Sequence, residues 1–87
     1  MLDQRPVVLT GEIDIFTAPK VCRSLDTIVG PATIDLTDVP LLGAAGLAEL
    51  ARVAKRVGFR TVTLVGARPH VRRVLAIARF EQLFIIE

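Results

Sequence analysis

Residues 35–47, Asp-Leu-Thr-Asp-Val-Pro-Leu-Leu-Gly-Ala-Ala-Gly-Leu, constrain this chain more than any other stretch. A short apolar strand runs into a turn of small residues, and the turn opens a helix. Beyond it Leu47, Leu50, Ala51, Ala54 and Val57 fall on one helical stripe, while Glu49, Arg52, Lys55 and Arg56 fall on the other side. A strand that feeds a helix in this way is one half of a βαβ unit. The shape implies that something docks on the helix N-terminus. The chemistry limits what happens there, because residues 43–47 hold no Ser, Thr, Cys or His. A binding surface is expected rather than a catalyst.

The flanking sequence repeats the alternation. Residues 6–10 read as a β-branched strand that ends at Gly11, and residues 12–16 alternate in a way that extends it or forms a loop. Thr17 is placed as an N-cap with Pro19 in the first turn. Val21, Leu25, Ile28 and Val29 sit at helical spacing until Gly30-Pro31 stops the helix. Residues 32–36 form the second strand. Gly58 ends the second helix and residues 61–65 make the third strand, closed by Gly66. Pro69 opens a third helix with Val71, Val74, Leu75 and Ala78 inward, and residues 84–86 are a short last strand or a packed tail. The expected fold is α/β: a mostly parallel sheet of about four strands with three helices, in one domain spanning residues 1–87. Right-handed crossovers are expected. The nearly all-apolar middle strands suit a covered sheet.

Composition narrows the function. A chain of 87 residues buries only about 60–65% of its unfolded surface, so the 52% apolar content must pack efficiently. The four aromatics are all Phe, too few for a protein that stacks nucleic-acid bases. Net charge is +2, with basic residues concentrated from Arg52 onward and acidic residues in the first half. An acidic partner could use the basic side, although solvated helix faces are the plainer reading. The single cysteine, Cys22, excludes an internal disulfide and a Cys-based zinc cluster. The first six residues are too polar for a signal peptide, and no apolar run approaches membrane-spanning length. No nucleic acid and no membrane insertion are expected, and a cytoplasmic location is.

Other motifs read weakly. Gly43-Ala-Ala-Gly46 sits like a phosphate loop but lacks the third Gly of a dinucleotide site and the Gly-Lys-Ser/Thr ending of a nucleotide loop. Backbone donors there could still take an anion. A tight turn with close backbone packing is the simpler account. Asp14, Asp35 and Asp38 lie near strand ends without the His or further carboxylates a metal needs, so no metal and no cofactor are expected. Asp14 and Asp38 are suited to accept hydrogen bonds from turn amides. Ser24 and His70, the only residues of their types, lie on different helices and make no triad. Cys22 suits a core margin. Arg68, His70, Arg72, Arg73 and Arg79 give the third helix a basic face.

Taken in order, these pieces resemble the STAS domain, the family of bacterial anti-anti-sigma factors. Val8-Leu-Thr-Gly-Glu-Ile-Asp14 is similar to the family's strand and Gly-x-x-Asp loop, residues 32–39 to its central strand, and Val62–Gly66 with Val71–Leu75 to its next strand and helix. Residues 42–47 stand where the family carries Asp-Ser-Ser-Gly-Leu. Two departures follow. Few residues precede Val7 to form the family's first strand. The phosphoacceptor Ser corresponds to Ala45, and the Asp before the two Ser corresponds to Gly43. The resemblance implies a non-catalytic regulator, an anti-sigma factor antagonist whose partner is an anti-sigma factor of the kinase type or otherwise. The expected contact surface is Asp14, Gly43, Ala44, Ala45, Gly46 and Leu47, with Glu49 at the rim. Phosphate at the Ser ends binding in the family; here Ala45 is a degenerate phosphosite, leaving Thr17, Ser24 and Thr37 as other hydroxyls for a switch. The resemblance leaves open a homodimer, and a role as scaffold or accessory subunit of a signalling assembly or transporter.

Overall fold

The computed structural model describes residues 5–87. Most of the polar N-terminal stretch therefore lies outside the described residues. Four strands, β1 (Val7–Thr10), β2 (Ala32–Asp38), β3 (Val62–Val65) and β4 (Ile85–Ile86), form one sheet in the order β1-β2-β3-β4. Every neighbouring pair is parallel. Three helices connect them: α1 (Ala18–Leu25), α2 (Ala44–Val57) and α3 (Pro69–Ile77). A short 3-10 turn, Phe80–Gln82, follows α3.

A sequential parallel order has a consequence for layering. Each right-handed crossover steps the same way across the sheet, so the three helices fall on one face. Burial agrees: Ile34, Leu36, Val62 and Leu64 are fully enclosed in one core with residues of all three helices. Their neighbours on the opposite face, Thr33, Asp35, Thr63 and Val65, are only partly buried, and Val8 is exposed. Among the described residues the helices thus cover one side of the sheet.

Local departures have identifiable causes. The first helix stops at Leu25, short of the Ile28-Val29 limit that spacing suggests. The amide of Ile28 bonds the Leu25 carbonyl in a turn, and the Arg56 guanidinium reaches from α2 to the carbonyls of Ile28 (2.7 Å) and Leu25 (3.0 Å). Ile28 remains buried while Val29 points to solvent. In α2 the buried stripe includes Val53, which the spacing argument passed over. In α3 Ala78 is exposed rather than inward. The chain leaves the helix at Arg79 in the left-handed region, and Phe80 fills the place, stacked on Phe84 at 6.0 Å. Strand β2 runs two residues past its expected end, and the last segment is a strand paired with β3. Among the described residues no helix is long and apolar enough to cross a membrane.

Candidate binding surface

Two loops meet where β1 and β2 end. The Gly11 amide donates to the Asp38 carbonyl (3.0 Å), that of Ile13 to the Leu41 carbonyl (2.9 Å), and that of Gly43 to the Ile13 carbonyl (2.8 Å). Ile13 is thereby stitched to residues 41–43, and its side chain is driven into the core. The residues 12–16 are a loop, one of the two alternatives the pattern left open.

Asp14 holds this loop. Its Oδ1 accepts from the amides of Phe16 (2.8 Å) and Thr17 (3.0 Å). The Thr17 hydroxyl accepts from the Asp14 amide and donates to the Glu12 carbonyl, each at 2.9 Å. Thr17 does occupy the N-cap position of α1, yet its side chain makes no capping bond there because the loop uses it. Within β2 Asp35, not Asp38, accepts nearby donors: the Thr37 hydroxyl at 2.6 Å and its amide at 2.9 Å. The hydroxyl bond, then the amide bond, hold the Asp35 carboxyl below its usual range. Gly66 must lack a side chain beside this pair. Its φ is +73°, and a Cβ would stand 2.2 Å from the Thr37 hydroxyl oxygen. Arg68 Nε donates to the Thr37 carbonyl at 2.9 Å, tying the third loop to the second.

The α2 N-terminus opens on this end. Gly43 is the N-cap, in an extended conformation and with no side chain to cap. The first bond within the helix runs from the Leu47 amide to the Gly43 carbonyl, so the amides of residues 44–46 have no acceptor in the helix. Ala44 is exposed and Ala45 partly buried. Gly46 faces inward: a Cβ would lie 2.5 Å from Ile13 Cγ2 and 2.6 Å from Leu42 Cδ1. Leu47 packs against the core. Glu49 pairs with Arg52, which also donates to the Cys22 sulfur on α1.

Of the seven residues expected to form a surface, Asp14, Gly43, Ala44 and Ala45 come together around the head of α2. Gly46 and Leu47 support them from within, and Glu49 is turned toward Arg52. Sequence reasoning missed Ile15, Phe16 and Leu41, which are exposed around the same helix end. No local signal gave the exposed pair, because Ile15-Phe16 next to a strand reads as its continuation. Asp14 serves to shape its loop as well as to line it.

Catalytic groupings do not form from the expected residues. Ser24 and His70 stand on separate helices, and among the described residues no three His, Cys, Asp or Glu side chains cluster to hold a metal. Cys22 is partly buried beside Arg52. The strong hydrogen bonds from that guanidinium to Glu49 and Cys22 raise the arginine pKa further. Two basic residues of the exposed helix faces also bond the backbone. Arg56 caps α1, and Arg72 reaches the Glu87 carbonyl at 3.1 Å.

The family model for the STAS domain matches residues 4–87. A crystal structure of an anti-sigma factor antagonist from Mycobacterium paratuberculosis superposes with a TM-score of 0.80 at 28% identity, over 99% of this chain and 81% of that one. A candidate anti-sigma factor antagonist from Thermotoga maritima superposes with a TM-score of 0.77 over 97% of this chain and 81% of that one. At 20% identity the second likeness speaks for the fold alone. No curated protein sequence matches.

Proposed function

This chain belongs to the STAS domain family, and from that premise we propose that it is a non-catalytic anti-sigma factor antagonist, a single domain acting in the bacterial cytoplasm. It would bind an anti-sigma factor through the head of α2 and so release the sigma factor that the inhibitor holds. The observation that carries this reading is the build of that surface. Gly43 and Ala44 bring backbone close to the exterior, three amides lack helix acceptors, and two loops hold the surface rigid through the bonds at Ile13. Support from outside is the likeness to the mycobacterial antagonist.

The same surface lacks the chemistry of the family's switch. A phosphoserine would bring nearly two negative charges to the contact, and Ala45 has no oxygen to carry them. We read the chain as a constitutive binder at this position. Thr17 and Thr37 are poor replacements, because their hydroxyls already bond Glu12 and Asp35.

The test is displacement. Purified chain is added to a preformed complex of sigma factor and anti-sigma factor from the source cell, without and with ATP. Free sigma factor should appear in proportion to added chain, with no loss of potency when ATP is present. If sigma factor is never released, the antagonist reading fails and a scaffold role takes its place. If ATP ends release and phosphate maps to Thr17, Ser24 or Thr37, the switch has moved rather than vanished.

A further inference from the structure

The tip of the first loop presents large apolar side chains that the fold does not use. Phe16 is 88% exposed and Ile15 72%. Neither belongs to a loose segment, because Asp14 and Thr17 close the loop on both sides with side-chain bonds to its backbone. The pairing of Ile13 with residues 41–43 puts this tip at the same end of the molecule as Leu41, 40% exposed, and the head of α2. Single exposed apolar residues are ordinary. Here two loops joined by three backbone bonds bring Ile15, Phe16 and Leu41 to one end of the molecule. Rigid presentation matters, since a preordered aromatic loses little freedom on burial.

Exposed carboxylates edge this patch, with Lys20 in the first turn of α1 and Arg68 at the Thr37 carbonyl as the cations of the same end. Glu12 and Asp38 are exposed, and the Gly11–Asp38 bond brings their loops side by side. A two-fold contact between copies through this patch would set the same carboxylates against each other.

We infer that Ile15 and Phe16 are an apolar anchor that enters a pocket on the protein partner, and that this pocket is edged by Lys or Arg side chains opposite Glu12 and Asp38. The inference rests on the reading of the α2 head as a docking surface, and adds the chemistry of the partner and the residues that select it. Backbone approach at Gly43 and Ala44 gives close contact with little side-chain identity. The anchor gives identity, as buried aromatic residues do at the centre of protein interfaces.

The experiment is calorimetric titration of the anti-sigma factor from which the chain releases sigma factor, using the wild type, Phe16→Ser, Ile15→Ser, Val29→Ser and Ala45→Asp. Val29 is as exposed as Phe16 and lies on the α1–β2 connection, away from the α2 head, so it controls for loss of any surface apolar group. Phe16→Ser should weaken binding at least tenfold, Ile15→Ser by less, and Val29→Ser not at all, with melting temperatures unchanged. Added salt should weaken the wild-type complex more than the complex of a Glu12→Gln, Asp38→Asn double variant. If Ala45→Asp abolishes binding while Phe16→Ser binds as wild type, the anchor is wrong and the docking surface stands. If neither matters, or the wild type does not bind, both fall. Concentration-dependent self-association that Phe16→Ser removes would also overturn the anchor, by showing that a second copy occupies it.

Discussion

Gly46 has no room for a methyl group. The three nearest atoms to an added Cβ, two of them on Ile13, lie at 2.5 to 3.2 Å. Ile13 cannot retreat easily, because its backbone is bonded on both sides to the neighbouring loop. Gly46→Ala should therefore destabilise by about 1–2 kcal/mol through overpacking, despite the better helix propensity of Ala. For a chain of this size that is a fall in melting temperature of about 5–10 °C, read by thermal circular dichroism. Ala44→Gly, two residues earlier on the exposed side of the helix, is the comparison and should lose no more than helix propensity costs. Asp35 makes a prediction of another kind. Its bonds to Thr37 lower its pKa in the folded state. A carboxylate with a depressed folded pKa adds stability that is present above its unfolded pKa and lost as pH falls through the folded one. Wild type should thus exceed Asp35→Asn in urea stability near neutral pH, and the gap should close below about pH 4.

At the scale of elements, the connection between α1 and α2 is the least expected contact. Arg56 lies on the polar side of α2, yet its planar fork satisfies the last carbonyl of α1, at Leu25, and that of Ile28 in the turn beyond. A helix C-terminus favours a cation. Because the side chain is largely solvated, Arg56→Ala should cost only about 1 kcal/mol. Arg56→Lys should not restore it fully, since an ammonium replaces two fixed donors with one point charge. Urea unfolding measures the loss, and faster hydrogen exchange at Asp26 and Ile28 locates it. This contact also shows what sequence can and cannot reveal. The alternation of strands and helices, the parallel sheet and the position of residues 43–46 at the head of α2 were legible, because they follow from periodicity and from Gly and Pro. The end of α1 was not. Ile28 and Val29 continue a helical spacing, but a residue from another helix supplies the stop. Ala78 misled for a similar reason: a left-handed residue at Arg79 turns the chain and lets the larger Phe80 take the buried place. Single-sided covering was implicit in the strand order, which local sequence does not state.

For the whole molecule, the fold separates two kinds of surface. The end of β2 and the loops after β1 and β2 carry Glu12, Asp14 and Asp38 together with exposed apolar groups, whereas the outer side of α3 carries Arg72 and Arg73. The proposed contact lies at the first of these. Part of it was legible in the sequence: the small residues and the absent hydroxyl. The apolar tip was not, because an Ile-Phe pair next to a strand reads as its continuation until the loop bonds of Asp14 are known. The central claim is that a partner docks on the head of α2, and one substitution addresses it. Ala45→Asp puts charge and bulk into the contact while adding a carboxylate to the first turn of a helix that has no acidic residue there. The helix dipole favours that charge, so the fold should hold. A desolvated carboxylate without a partner weakens a complex strongly. The deciding measurement is the Kd of the anti-sigma factor for wild type and Ala45→Asp, at matched melting temperature. The account predicts at least a tenfold loss, about 1.4 kcal/mol or more. Equal affinity, with loss instead in Arg73→Ala on α3, would contradict it and move the docking surface to the basic face of α3.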